Sequence, residues 1–176
     1  MKAVQVAARS PHPIAGHLRR GLARLVESEE LGESFALAAA SHARDEHQAH
    51  AWRVIHALEA QTNGATRKFL QHSGIDVSET NRLAAAAGRI AAPPSVYWPW
   101  KVQLHSLRLA TRRYLPVFQG LADGFHGTPH QDFFEYVVDH EVAIIRFIER
   151  DLDGQPAPLD AMLRLLETPV PMVEQP

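Results

Sequence analysis

Apolar positions recur at helical spacing along almost the whole chain, and no stretch alternates with the two-residue period of a strand, so the sequence predicts an all-α protein. Four long helical segments stand out. The first runs from about Ile14 to His42 and is entered through "SPHP". The second runs from about Asp45 to His72, where Asp45 with Gln48 suits a capping box and Gly74 suits a stop. The third runs from about Tyr97 to Asp123, after the breaker "APPS", and ends at Gly124. The fourth starts at "TP", with Thr128 as N-cap and Pro129 at the first helical position, and stops at Gly154. A short helix in "APLDAMLRLLE" follows and would cap the end of the bundle.

Short loops join the first to the second and the third to the fourth. A connection of about twenty residues, "GIDVSETNRLAAAAGRIAAPP", lies between those pairs. That is the pattern of a four-helix bundle made of two antiparallel hairpins and a crossover. The expected organisation is an N-terminal extension over 1–13, a bundle domain over 14–168 with its crossover at 74–94, and a tail over 169–176. A rival reading makes Leu31 to Gln61 one helix, with Gly32 ending a shorter first helix, and it stacks His42, Glu46 and His50 on one face. A break near Arg44 is preferred, because it gives four helices of similar length and a coherent apolar stripe from Ala51 to Phe69.

Several acids sit inside these stripes. Glu29 and Glu33 fall in the arc of Leu22, Leu25, Val26 and Ala36; Glu59, Thr62 and Thr66 lie among Trp52, Ile55, Leu58 and Phe69. His140 and Glu141 interrupt the stripe of Phe133, Phe134, Val137, Ile144 and Ile148. With the first loop centred near Arg44, Glu29 and Glu59 are each about four turns from it, and Glu141 is about as far past its own loop. Three carboxylates from three helices are therefore expected at one level. Buried carboxylates must bind a metal, pair with a cation or take a proton.

Composition narrows the options. The chain of 176 residues is 45% hydrophobic and 22% charged, as expected of one globular domain. A net charge of −2 gives no electrostatic case for nucleic acid. The absence of cysteine excludes disulfides, thiolate metal sites and cysteine nucleophiles, and fits a reducing, cytoplasmic setting. No apolar run is long enough for a signal peptide or a membrane span. No phosphate loop, nucleophile elbow or zinc motif occurs.

"HEVAIIRFIERDLDG" in the fourth segment, "HALEAQTNGATRKFL" in the second and "ESEELGESFALAAASHA" in the first resemble the ferritin-like superfamily. That resemblance implies a ferritin-like four-helix bundle. It also implies a di-iron or di-manganese centre, held by a Glu from each of two helices and a Glu-x-x-His from each of the other two. It assigns Glu29 (or Glu30 or Glu33), Glu59 and Glu141 as ligands. The chain departs from the pattern at Thr62 and Ile144, where histidines would follow, and it has no Asp or Glu from Thr80 to Ala122. His140 or His56 could complete a reduced set around iron or manganese. Alternatively Arg108 or Arg112 of the third helix could supply the counter-charge without metal. The metal-free alternative is preferred, so no cofactor is expected.

Weaker signals add little. The His-x3-Glu of "HARDEHQAH" is found in hemerythrin-type bundles, but a His-x3-His partner is missing from the third helix. "SVYWPWK" brings Trp98 and Trp100 to the bundle end, where, with Trp52 and Thr62, they are candidates to line a pocket. Pro116 should kink the third helix. The functional expectation is a cytoplasmic small-molecule-binding or assembly module, assembled as a homodimer. The alternative is a carboxylate-ligated iron or manganese oxidoreductase using O2 or peroxide.

Overall fold

Where the chain turns back is set by local hydrogen bonding. Asp45 accepts the Gln48 backbone N–H at 2.8 Å and the Gln48 side-chain amide at 2.7 Å, satisfying a donor that the new helix would otherwise leave bare. This device ends the first helix, α1 (Gly16–His42), and starts the second, α2 (Glu46–Ser73). A single helix through this region is thereby excluded. His42, Glu46 and His50 do not share one helix, and His42 Nδ1 instead meets the Ala38 carbonyl at 2.8 Å.

The computed structural model describes residues 14–73, 75, 86–87, 90–92 and 94–171. The expected extension over 1–13, the stop at Gly74, most of the 74–94 connection and the last five tail residues lie outside the described residues. Among the described residues there is no strand. Three further helices are α3 (Trp100–Gly124), α4 (Gln131–Leu152) and α5 (Asp160–Glu167). No described helix is long and apolar enough to cross a membrane.

Two helix starts differ from expectation. Tyr97 and Trp98 spend their N–H groups on the Pro94 and Ser95 carbonyls, so α3 begins three residues late. The Thr128 hydroxyl donates back to the Phe125 carbonyl at 2.6 Å and its oxygen accepts the His130 N–H. Thr128 therefore closes a turn, and α4 begins at Gln131 rather than at Pro129. Pro116 lies inside α3 without interrupting it. The stop at Gly154 is as expected. Its φ of +64° lets Gly154 N–H reach Asp151 O and Gln155 N–H reach Arg150 O, closing the last turn of α4.

Contacts between the long helices show their directions. Asn63 meets Glu33 and Trp52 meets Phe35, so α1 and α2 run antiparallel. Trp100 meets Asp151 and Phe125 meets Phe134, giving the same sense to α3 and α4. Gly21 lies against Leu121 and Gly124 against Leu18, so α3 also opposes α1. Thr62 meets His140 and His47 meets Asp151, so α4 opposes α2. Consequently Ser73 and Trp100 lie at opposite ends of the long axis. Short α5 packs on α4 and α2 through Met162, which is fully buried.

The core is not continuous. One apolar cluster gathers Leu22, Leu25, Phe69, Phe118, Phe125 and Phe134 at one end. Another gathers Ala36, Trp52, Ile55, Leu104, Phe147 and Ile148 toward the other. Between them in sequence, on α1, α2 and α4, lie buried Glu29, Glu59, Thr62, Asn63, Thr66, His140 and Glu141.

Candidate functional site

The polar layer exists because helical spacing carries Glu29, Glu59 and Glu141 onto the same faces as the leucines and phenylalanines that drive folding. Glu29 is 1% exposed, Glu141 7% and Glu59 9%. Gly32 makes room for one of them. A Cβ at this position would lie 2.6 Å from the Glu59 carboxyl carbon, so the bare α1 backbone is the wall against which that carboxylate rests. Gly32 thus sits inside α1 as a space-maker and does not end a helix.

His140 is the fourth member, 1% exposed and on α4 beside Glu141. The Thr62 hydroxyl donates to the Leu58 carbonyl one turn back at 3.1 Å, so its oxygen accepts from His140 Nδ1–H, 2.6 Å away. That contact fixes the imidazole and turns Nε2 toward the acids, with Glu59 Oε1 nearest at 3.6 Å. His140 Nε2, Glu29 Oε2 and the Thr66 hydroxyl have no hydrogen-bond partner among the described residues. Donor atoms of Glu29, Glu59 and His140 all lie within 4.8 Å of one another.

This crowding shifts the protons. Burial raises Glu29 well above the usual carboxylate range; His140 opposes the rise, while Glu59, Glu141 and Glu33 reinforce it. Burial likewise pushes Glu141 up to about 8, against the pull of His140 and with the help of Glu59. Burial acts to lower His140, but the attraction of Glu29, Glu59 and Glu141 prevails and lifts it to about 10. Burial and like charge thus favour protons on Glu29 and Glu141, and the acids favour a charged imidazole, so the shifts all move the layer toward electrical balance.

A cavity of about 350 Å3 opens beside this layer. Its walls come from α1, α2, α3 and the 91–98 segment, including Phe35, Ile55, Leu107 and Trp98, while Glu59 and Glu141 supply its charge. Gln103 holds one wall in place. Its amide donates to the Trp98 carbonyl at 3.0 Å and the Val96 carbonyl at 3.3 Å, and its oxygen accepts from Trp52 Nε1 at 3.4 Å.

Of the residues singled out from the sequence, Glu29, Glu59, His140 and Glu141 come together. The neighbours of Glu29 do other work: Glu30 pairs with Arg67, and Glu33 accepts from Asn63 at 2.5 Å. His56 is half-buried and not in the donor group. Arg112 pairs with Glu149 across the surface at 3.0 Å, and Arg108 contacts His105 at 3.1 Å. The counter-charge therefore comes from His140 and not from these arginines, because a guanidinium already placed in water gains nothing by entering the core. Trp52 and Trp98 line the cavity; Thr62 instead holds His140. Trp100 is not a lining residue. It packs edge-on against Trp52 and donates to Asp151 at 2.7 Å. Sequence reasoning missed Gly32, Gln103 and Thr111, the last a buried residue lining the cavity from α3; a glycine one turn after a buried acid was the only hint. No known protein family, curated protein or solved structure matches this chain.

Proposed function

We propose that the chain is a ferritin-like four-helix bundle with a long crossover between α2 and α3, and that it works as a small-molecule-binding module in which protons, not an obligatory metal, balance the central acids. The antiparallel pairings and the opposite ends reached by Ser73 and Trp100 support the topology, since a chain joining those ends must travel the length of the bundle. The observation that carries the function is the apolar cavity opening onto Glu59 and Glu141. Mostly apolar walls with a few placed polar groups are the usual build of a ligand site. A cytoplasmic homodimer belongs to the same reading; Val102 and Leu109 of α3 are exposed apolar residues that a second copy would cover.

One observation favours a second reading, a metal-dependent oxidoreductase. Glu29, Glu59 and His140 present converging donors, two of their atoms lack partners among the described residues, and Thr62 orients the imidazole as an outer-shell partner would. These residues, with Glu141 alongside, fit one hard divalent ion such as iron or manganese, but not two, since the only acid of α3 is Asp123 in its last turn, away from the layer's donor group. A bound ion would supply O2 or peroxide activation. To bind it, the layer must give up the protons of His140, Glu29 and Glu141.

Thermal unfolding between pH 5 and 10 separates the two. Glu29, Glu141 and His140 all have folded pKa values above their ordinary ones, so the folded state binds more protons than the unfolded state. Stability in chelator should then fall as pH rises, first through the window from 4.5 to about 8 set by Glu141, then from 6.5 to about 10 set by His140. Added benzyl alcohol should raise the midpoint saturably in the wild type and not in Thr111→Phe, which fills the cavity from α3. Stoichiometric iron or manganese in the purified protein that vanishes in both Glu59→Ala and Glu141→Ala, with a midpoint that rises with pH in its presence, would favour the metal-dependent reading instead.

A further inference from the structure

The preceding reading leaves the ligand's charge open, and the cavity carries information about it. We propose that the cavity takes a small primary or secondary amine bearing one ring or a short apolar chain, with its ammonium seated against Glu59 and Glu141. This rests on the small-molecule reading and adds to it the chemical class of the ligand.

Three features select that class. First, the described residues lining the cavity include two carboxylates and no lysine, arginine or histidine. An anionic ligand would meet two acids there, while the neighbouring cation, His140, is not one of the residues lining the cavity. Second, Glu141 is 7% exposed and accepts no hydrogen bond from a described residue, yet it faces the cavity. A buried carboxylate in that state needs donors, and an ammonium supplies two or three from one atom, each a charge-assisted bond. Three acids stand against one imidazole in the layer, so a univalent cation reduces the excess that protons otherwise neutralise. Third, the walls are aromatic. Phe35, Trp52, Trp98 and Tyr114 surround the space, and ring faces attract cations while covering an apolar body. The volume of about 350 Å3 lies at the small end of the range for ligand sites, roughly 300–1,000 Å3, which limits the body to a single ring or a short chain.

Three probes of the same shape decide the matter: benzylamine, benzyl alcohol and benzoate, titrated calorimetrically against the metal-free full chain near neutral pH. Benzylamine should bind most tightly and benzoate should not bind. Glu141→Gln should weaken benzylamine by about ten- to a hundredfold, the range for losing a charged hydrogen bond, and weaken benzyl alcohol by much less. Thr111→Phe should abolish both. Circular dichroism checks that each variant is folded; if Glu141→Gln is not, the wild-type order of the three probes and the Thr111→Phe result still decide. Benzyl alcohol binding as tightly as benzylamine, or benzoate binding at all tightly, overturns the charge assignment while leaving the small-molecule reading intact. Binding by none of the three to folded wild-type protein overturns both.

Discussion

The two ends of the bundle solve the same packing problem differently. Around Phe69 the rings fill the space: Phe125 and Phe134 stack at 4.2 Å, Phe69 and Phe133 at 5.4 Å, and Phe134 meets Phe69 edge-on at 5.2 Å. Around Trp52, Phe35 and Trp100 meet the indole edge-on at 5.4 and 6.1 Å, yet a cavity remains between Phe35, Trp98 and α3. An apolar void loses the contacts that a filled core would make, so hollow space beside buried charge costs stability. The difference teaches that aromatic packing fills one end, while the other keeps open space beside buried acids, the space that the proposed ligand would occupy.

The comparison breaks most readily by carving a hole in the filled end. Phe134→Ala removes a fully buried ring and should cost about 3–5 kcal/mol in denaturant unfolding. Phe35→Ala, at the cavity wall, should cost about 1–3 kcal/mol, because part of that ring already faces empty space. Equal losses would show that the two ends are packed alike.

A smaller effect tests the boundary between them. Gly32→Ala would push a methyl into the Glu59 carboxylate and should destabilise by about 1–3 kcal/mol, while also weakening ligand binding in the cavity. Gly120→Ala meets nothing within 4 Å on α3 and should stabilise by about 0.5–1 kcal/mol, the ordinary helix preference for alanine. A Gly32→Ala protein as stable as Gly120→Ala would mean that the carboxylate does not rest on α1.

The smallest expected effect is at the surface. Arg112→Ala breaks an exposed pair with Glu149 and should change unfolding stability by no more than about 0.5 kcal/mol. A larger loss, or a change in the pH slope of unfolding, would return Arg112 to the role of counter-charge for the central acids.

Most of the helices and much of the site could be read from residue spacing. Glu29 and Glu59 stand fifteen residues on either side of Arg44, and a regular antiparallel hairpin brings such positions side by side. His140 was identified by its place on an apolar face. The arginines were misplaced because a helical wheel locates a residue at an edge but does not say whether water or a neighbouring acid such as Glu149 will take it. Thr128 was misread for a related reason: its hydroxyl can cap forward or bond backward, and the Phe125 carbonyl won.

The sequence by itself determined that the chain is helical, where most of its helices stop, and that three acids and a histidine lie on faces built for burial, because these follow from periodicity and short-range hydrogen bonding. Only the tertiary structure decided that Glu59 rests in the space left by Gly32, that Thr62 turns His140 toward the acids, and that the walls around Trp52 do not close. Each of those depends on distances of a few ångströms between helices far apart in the chain, which side-chain shape and packing fix and residue order does not.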